Sequence, residues 1–308
     1  MRVIVLGSAA GGGVPQWNCG CAHCADARQR GARRTQSSVA LSADGERWIL
    51  LNASPDIGAQ LAAHRALWPR SGRDTPLRAV ILTDGEIDHT LGLVLLRENA
   101  ARLPVYAPAA VTALLQNAWP LYPVLSAYAG VDPRLLPDDG ASVALADRAG
   151  VPLGIATRAV AVARRAPRFA STRTRALSGA LGACAVGLRL VDDRTGGVLA
   201  YIPTAGAVDD AVRQVAQDAD LLLFDGTFWS DDELRRAGVD APAALEMGHV
   251  PVGGPGGSAE LLPQLGAKRT LLVHLNNTNP LLHPAGPERA ALARTGIAVA
   301  DDGMEFEL

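Results

Sequence analysis

The run 79–83 is apolar up to Thr83 and leads straight into Asp84-Gly85-Glu86-Ile87-Asp88-His89. A short apolar run bounded by polar residues reads as a strand buried on both faces. Polar clusters at the ends of such strands are where α/β folds place their ligands. The pattern recurs. Residues 198–202 and 221–224 read as buried strands, and 271–274 as another that ends before Asn276-Asn277-Thr278-Asn279-Pro280. Residues 3–6 form a strand that enters the turn Gly11-Gly12-Gly13, and 38–41 with 48–52 form a hairpin around Asp44-Gly45. Segments 56–66, 89–99 and 109–115 have helical spacing. Strands and helices alternate, and no Pro/Ser-rich linker divides them. The expected class is therefore α/β, as one domain over residues 1–308.

The chain has 31 acidic against 29 basic residues, which leaves no global pull toward nucleic acid or membrane surfaces. No stretch approaches the ~20 apolar residues of a membrane span. The first apolar run is too short for a signal peptide. Four cysteines, three of them clustered, do not make a disulfide scaffold. The expectation is a cytoplasmic enzyme with no nucleic-acid or membrane partner.

Those three cysteines stand in Cys19-Gly20-Cys21-Ala22-His23-Cys24, within a loop at about residues 15–25. Paired as disulfides they would leave one over, but together they can wrap one soft cation. Zinc takes thiolates at tetrahedral corners and needs one further ligand. The alternative is three small fillers beside a turn, and the ligand-like spacing argues against it. A closed thiolate site is structural rather than catalytic. Cys184, alone between Ala183 and Ala185, reads as a core residue.

In the segment 84–89, three carboxylates and a histidine fall within six residues. Carboxylates so close repel one another, and a bound cation relieves that repulsion. A solvated acidic turn capping the next helix accounts for the segment equally well. The histidines favour the cation. There are six: His23, His64, His89, His249, His274 and His283. His89 follows a buried strand, His274 ends another, and His249 sits in a glycine-rich loop. His64 and His283 read as hydrogen-bonded rim residues, and His23 as a ligand or neighbour of the cysteines.

The order of these features resembles the metallo-β-lactamase superfamily: the glycine turn, Asp88-His89, Tyr201, Leu221-Leu222-Leu223-Phe224-Asp225-Gly226-Thr227-Phe228-Trp229, Gly248-His249 and Val273-His274. It is similar to the branch that holds tRNA-processing RNases and phosphonate-pathway phosphodiesterases. The cysteine cluster, Gly85-Glu86-Ile87-Asp88-His89 and His274-Leu275-Asn276-Asn277-Thr278-Asn279-Pro280 narrow it to the members that serve pyrroloquinoline quinone (PQQ) biosynthesis. The resemblance runs from Met1 to Leu308. It implies an αββα four-layer sandwich, two mixed sheets face to face with helices outside and the site at the strand ends.

Hydrolytic members carry His-x-His-x-Asp-His, but Asp84 and Glu86 stand at the first two histidine positions here. They use a further histidine before the tyrosine strand, yet none lies between His89 and His249. The bridging aspartate is replaced by Thr204. Asp88, His89 and His274 remain, and two histidines with one carboxylate are the ligand set of non-haem Fe(II) oxygenases. The expected active-site metal is Fe2+, replaceable by Zn2+ on purification, with Zn2+ on Cys19, Cys21 and Cys24. Phosphodiesterase relatives complete the thiolate site with a histidine at position 277. Asparagine stands there, which leaves Asn277, His23, a backbone group or water.

The resemblance also implies an activity: iron- and O2-dependent hydroxylation of the tyrosine ring of a Glu–Tyr cross-linked PQQ precursor. His249, Asp84 and Glu86 are the expected catalytic groups. Between Arg148 and Val191 there is no acidic residue but a run of arginines. That stretch is expected to be a loop whose Arg164, Arg165 and Arg168, with Asn276, hold the carboxylates of the substrate. Two other readings remain: a metal-dependent hydrolase or phosphodiesterase, and a carrier of PQQ or its precursor toward the periplasm. A homodimer is one assembly this reading allows.

Overall fold

The computed structural model describes residues 1–163, 165–170 and 182–308. The first half of the chain supplies β1 (Arg2–Gly7), β2 (Ser38–Ser42), β3 (Trp48–Leu51), β4 (Leu77–Ile81), β5 (Leu103–Ala107) and β6 (Val131–Leu135). The second half supplies β7 (Asp139–Ala146), β8 (Pro152–Ala163), β9 (Ala185–Asp192), β10 (Val198–Ile202), β11 (Leu221–Asp225), β12 (Thr270–Val273), β13 (Ile297–Val299) and β14 (Glu305–Glu307). They form two seven-stranded sheets, ordered β14-β1-β2-β3-β4-β5-β6 and β13-β12-β11-β10-β9-β8-β7. Both sheets are mixed. β3 to β6 run parallel in the first, and β10 to β13 in the second.

Side chains alternate across each strand, and that alternation builds the layers. Val3, Val5, Ile49, Leu51 and Ile81 face Leu188, Leu190, Tyr201, Leu223 and Val273 in one core between the sheets. The intervening Ile4, Leu50, Val80 and Leu82 pack outward on Ile57, Val111 and Leu115 of flanking helices. Leu222, Phe224 and Leu272 do the same against Val212, Val215 and Leu292. Strands buried on both faces must be apolar throughout, which explains Leu221-Leu222-Leu223-Phe224. Each such side chain contributes roughly 1.5–3 kcal/mol on burial. The architecture is the four-layer αββα sandwich.

The sheets join at the end that holds the polar clusters. Val186 N–H donates to the Thr83 carbonyl at 2.9 Å, and Leu275 N–H to the Ser8 carbonyl at 2.9 Å. Ala10 N–H in turn donates to the Leu275 carbonyl at 2.8 Å.

The hairpin between β2 and β3 forms as expected. The Asp44 carboxylate accepts from Glu46 N–H and Arg47 N–H, both at 2.8 Å, and closes the turn. The helix expected over 89–99 begins earlier, at Ile87–Thr90, and resumes at Gly92–Leu95. A Cβ at position 92 would lie 2.2 Å from the Ser54 carbonyl, so glycine is required there.

The arginine-rich stretch is the expected loop only in part: Arg165 and Arg168 lie outside the strands, in the segment 165–170 that follows β8. It holds β8 and most of β9, and Arg158 stands opposite Arg189 in their antiparallel ladder. Arg189 donates to the carbonyls of Val215 and Gln217 at the end of the helix Asp210–Ala216. Alternation along 152–163 had been hidden by alanine and arginine, which carry weak strand signals. Arg164, with Arg173 and Arg175, lies outside the described residues. Among the described residues no helix is long and apolar enough to cross a membrane.

Candidate metal centre

β4 ends at Ile81, and the chain then turns through Thr83 and Asp84 into the helical turn Ile87–Thr90. That turn projects Asp88 and His89. From the facing sheet, β11 ends in Asp225 and β12 is followed at once by His274, which adopts φ +60°. Left-handed backbone is uncommon for a residue with a Cβ and marks a position held by its surroundings. Gly248, at φ +92°, ends the short helix Ala244–Met247 and delivers His249. The two sheets thus bring Asp84, Glu86, Asp88, His89, His249 and His274 to one cavity of about 490 Å³. Arg165, Arg168 and Asn276 line the same cavity, as does Thr204.

Each histidine is held at Nδ1, and His274 at Nε2 as well. His89 Nδ1 lies 2.8 Å from both oxygens of buried Asp84. Its Nε2 is buried without a hydrogen-bond partner. His274 Nδ1 lies 2.8 Å from Thr227 Oγ1, and its Nε2 lies 3.2 Å from Asp88 Oδ2. His249 Nδ1 lies 2.7 Å from Asp225 Oδ2. The His89 and His274 rings meet edge to face at 5.0 Å, and His249 stacks on His274 at 5.5 Å.

Burial opposes charge on Asp88, but His89 and His274 outweigh it and hold the carboxyl well below the usual carboxylate range. Burial likewise disfavours an imidazolium at His89, yet Asp84 and Asp88 lift its pKa to about 9. Glu86 reaches solvent at the cavity mouth. The enclosing walls, then the charges of Asp84 and Asp88, push its pKa up to about 7. Asp225 and Asp84 are both lowered, against their burial, chiefly by the histidine each one faces.

The donors fit a metal ion. One atom each from Asp88, His89 and His274 lie within 4.8 Å of one another. His89 Nε2 is buried with no hydrogen-bond partner, and in the neutral ring with Nδ1–H on Asp84 it offers a lone pair that a cation would take in place of the proton. Two imidazoles and a carboxylate suit Fe2+ and Zn2+ alike. Asp225, His249 and His274 form a second close group. There Asp225 Oδ2 already takes His249 Nδ1 at 2.7 Å, and Thr227 Oγ1 takes His274 Nδ1 at 2.8 Å.

Cys19, Cys21 and Cys24 bring their sulfurs together in a separate group that could hold a metal ion. His23 is not among them. The Asn277 amide lies 3.0 Å from Cys19 Sγ and 3.5 Å from Cys24 Sγ, and Cys21 Sγ donates to the Asn277 carbonyl at 3.4 Å. Burial raises the Cys24 thiol to about 11. Asn277 lies three residues past His274, so the cluster is tied directly to the loop that carries that histidine.

Asp225 and Thr227 had been given no role from sequence, although the motif containing them was visible. The signal was available: Asp225 closes an apolar run as Asp84 follows one. Asn52 was missed with less warning. At φ +59° it donates to Thr83 Oγ1 and accepts from Thr83 N–H, both at 2.9 Å, and so braces the residue beside Asp84.

A family model described as a beta-lactamase superfamily domain matches residues 47–275. A protein of Cupriavidus necator named coenzyme PQQ synthesis protein B is 46% identical over 308 residues, covering 99% of this chain and 98% of that one. Its namesake in Methylococcus capsulatus is 42% identical over 312 residues, with both chains fully covered. The crystal structure of Zn2+-bound PqqB from Methylobacterium extorquens superposes with a TM-score of 0.88 at 37% identity over 100% of both chains. A diphosphatase of the PhnP family (TM-score 0.68, 22% identical) and the short form of human tRNase Z (0.60, 18%) share the fold. The chain is a member of the beta-lactamase superfamily. Within it, the chain belongs to the family of coenzyme PQQ synthesis protein B.

Proposed function

We propose that this chain serves PQQ biosynthesis as a non-haem Fe2+ oxygenase that hydroxylates the tyrosine ring of a Glu–Tyr-derived precursor. One observation carries the reading: Asp88, His89 and His274 converge as a two-histidine, one-carboxylate set around an unpartnered His89 Nε2, where hydrolytic relatives have further histidines. Fe2+ held there supplies activation of O2 beside a bound ring.

The chain's own residues do the rest. Asp84 orients His89 and raises its basicity. Asp225 holds the Nδ1 proton of His249, which leaves the other nitrogen to exchange a proton with substrate. Glu86, near neutral pKa at the cavity mouth, is the second proton carrier. Arg165, Arg168 and the Asn276 amide meet the carboxylates of the precursor. Cys19, Cys21 and Cys24 hold a structural Zn2+ that keeps the 274–280 loop in place. The protein works in the cytoplasm on a small molecule and O2, without nucleic acid or membrane, as a monomer or homodimer.

The test loads metal-free protein with Fe2+ under anaerobic conditions, then adds the diamino acid, O2 and a two-electron reductant, which lets the second oxygen atom leave as water. Mass spectrometry should show oxygen added to the phenol ring, and His89→Ala and His274→Ala should abolish it. Efficient phosphodiester hydrolysis by the Zn2+-loaded protein, with no oxidation by the Fe2+ form, would install the hydrolase reading instead. Precursor binding that needs neither metal and leads to no turnover would install the carrier reading.

A further inference from the structure

Thr227 is buried, with 3% of its surface exposed, and its hydroxyl touches three side chains. Oγ1 lies 2.6 Å from Asp225 Oδ1, 2.8 Å from His274 Nδ1 and 3.1 Å from His249 Nδ1. A hydroxyl has one proton to give and two lone pairs to offer. Which contact takes the proton decides the state of both histidines.

Asp225 takes it. Its carboxylate is ionised and accepts only. Oδ1 accepts Thr227 N–H at 3.0 Å, and Oδ2 accepts Ala205 N–H at 2.9 Å together with His249 Nδ1–H at 2.7 Å. Were the Thr227 proton directed elsewhere, two oxygen lone pairs would face each other at 2.6 Å inside the protein. With the proton on the Asp225 side, Oγ1 can only accept from His274. The His274 proton must then sit on Nδ1, and Nε2 carries the lone pair.

That choice is not trivial for His274. Its Nε2 faces Asp88 Oδ2 at 3.2 Å, and a proton on Nε2 would make a hydrogen bond there. A neutral imidazole has one ring proton and cannot serve both sides. The fixed polarity of Asp225 settles the competition through Thr227 Oγ1, which meets His274 at Nδ1 and not at Nε2.

We propose that Thr227 is a positioning residue that locks His274 in the Nδ1–H tautomer, so that Nε2 is presented as a ligand. It shares Asp225 with His249, so one buried carboxylate sets the proton position on two histidines. The proposal rests on the metal reading above for its effect on affinity, but the tautomer itself can be read without metal.

The experiment is ¹⁵N–¹H long-range correlation NMR of the histidine rings in metal-free full-length protein, across a pH series, with the tautomer read where the ring carries one proton. The wild type should show His274 as Nδ1–H. Thr227→Val keeps the shape and removes the hydroxyl. It should give mixed or Nε2–H tautomers and weaken Zn2+ binding, followed at the His274 ring resonances, by about 10–100-fold. Thr227→Ser should restore both. A wild-type His274 in the Nε2–H form overturns the proposal even if the valine variant fails to fold. So does a folded Thr227→Val protein with an unchanged tautomer. The expected tautomer change in Thr227→Val with no Zn2+ binding in any form would leave Thr227 in this role and remove the metal reading.

Discussion

His89 gives its Nδ1 to Asp84, 2.8 Å from both carboxylate oxygens, while its buried Nε2 has no hydrogen-bond partner. The acid that stands where hydrolytic members carry a histidine therefore sits behind a candidate ligand rather than beside it. Asp84→Asn keeps the shape, removes the charge and weakens the grip on the ring. Metal affinity at Asp88, His89 and His274 should fall about 10–100-fold, as measured by competition with a chelator. An unchanged affinity would show that Asp84 does not tune the site.

The thiolate cluster makes a separate claim. Cys21→Ser should lower zinc content and thermal stability together, because a structural ion contributes folding free energy directly. Metal analysis and a melting curve on the same sample decide it, and full zinc with an unchanged melt defeats it. Cys184 is buried with Ala110, Leu114 and Ala170 and also borders the cavity. Cys184→Ala should leave the metal content as it was.

For His249, the expected result is loss of turnover with retention of metal. Its Nδ1 is committed to Asp225 at 2.7 Å. His249→Ala should cost on the order of 10²–10⁴-fold in rate, the range of a lost acid–base group. Loss of the bound metal from this variant would make His249 a ligand instead.

Glu233 predicts a pH dependence of stability. It is 6% exposed; burial raises its pKa to about 7, although Thr278 Oγ1 and Trp229 N–H each donate to it at 2.6 Å. The ordinary value is 4.5, so between the two the folded chain binds more proton than the unfolded chain. Glu233's contribution to stability falls as pH rises through that window and levels off above about 7, by on the order of 3 kcal/mol. Glu233→Gln should flatten that slope in denaturant titrations run across the range. The same slope in the variant would assign it to other groups.

The strand ends were legible because buried parallel strands are uniformly apolar, so the residue that breaks the run announces itself. Thr83, Asp84 and His274 were found that way. Asp225 closes such a run as plainly, but no neighbouring histidine in sequence pointed to it; His249 is its partner only in space. Asn52 and Thr227 are small neutral residues whose role lies in hydrogen-bond direction, which spacing does not encode. The outer strands β5 to β9 were missed where alanine, proline and arginine dilute the alternation. That error turned Arg158 and Arg189 into loop residues.

Asp88 and His89 come from the chain's first half, whereas His274 lies near its end. No stretch of nascent chain carries the whole ligand set, so an ion cannot be captured there until the two sheets have docked. The three sulfurs of Cys19 to Cys24, by contrast, leave the ribosome within six residues of one another. If both sites take up metal as proposed, their filling is ordered in time: the three sulfurs could meet a soft cation before His274 has been made, whereas the ion of the cavity would enter only a finished fold.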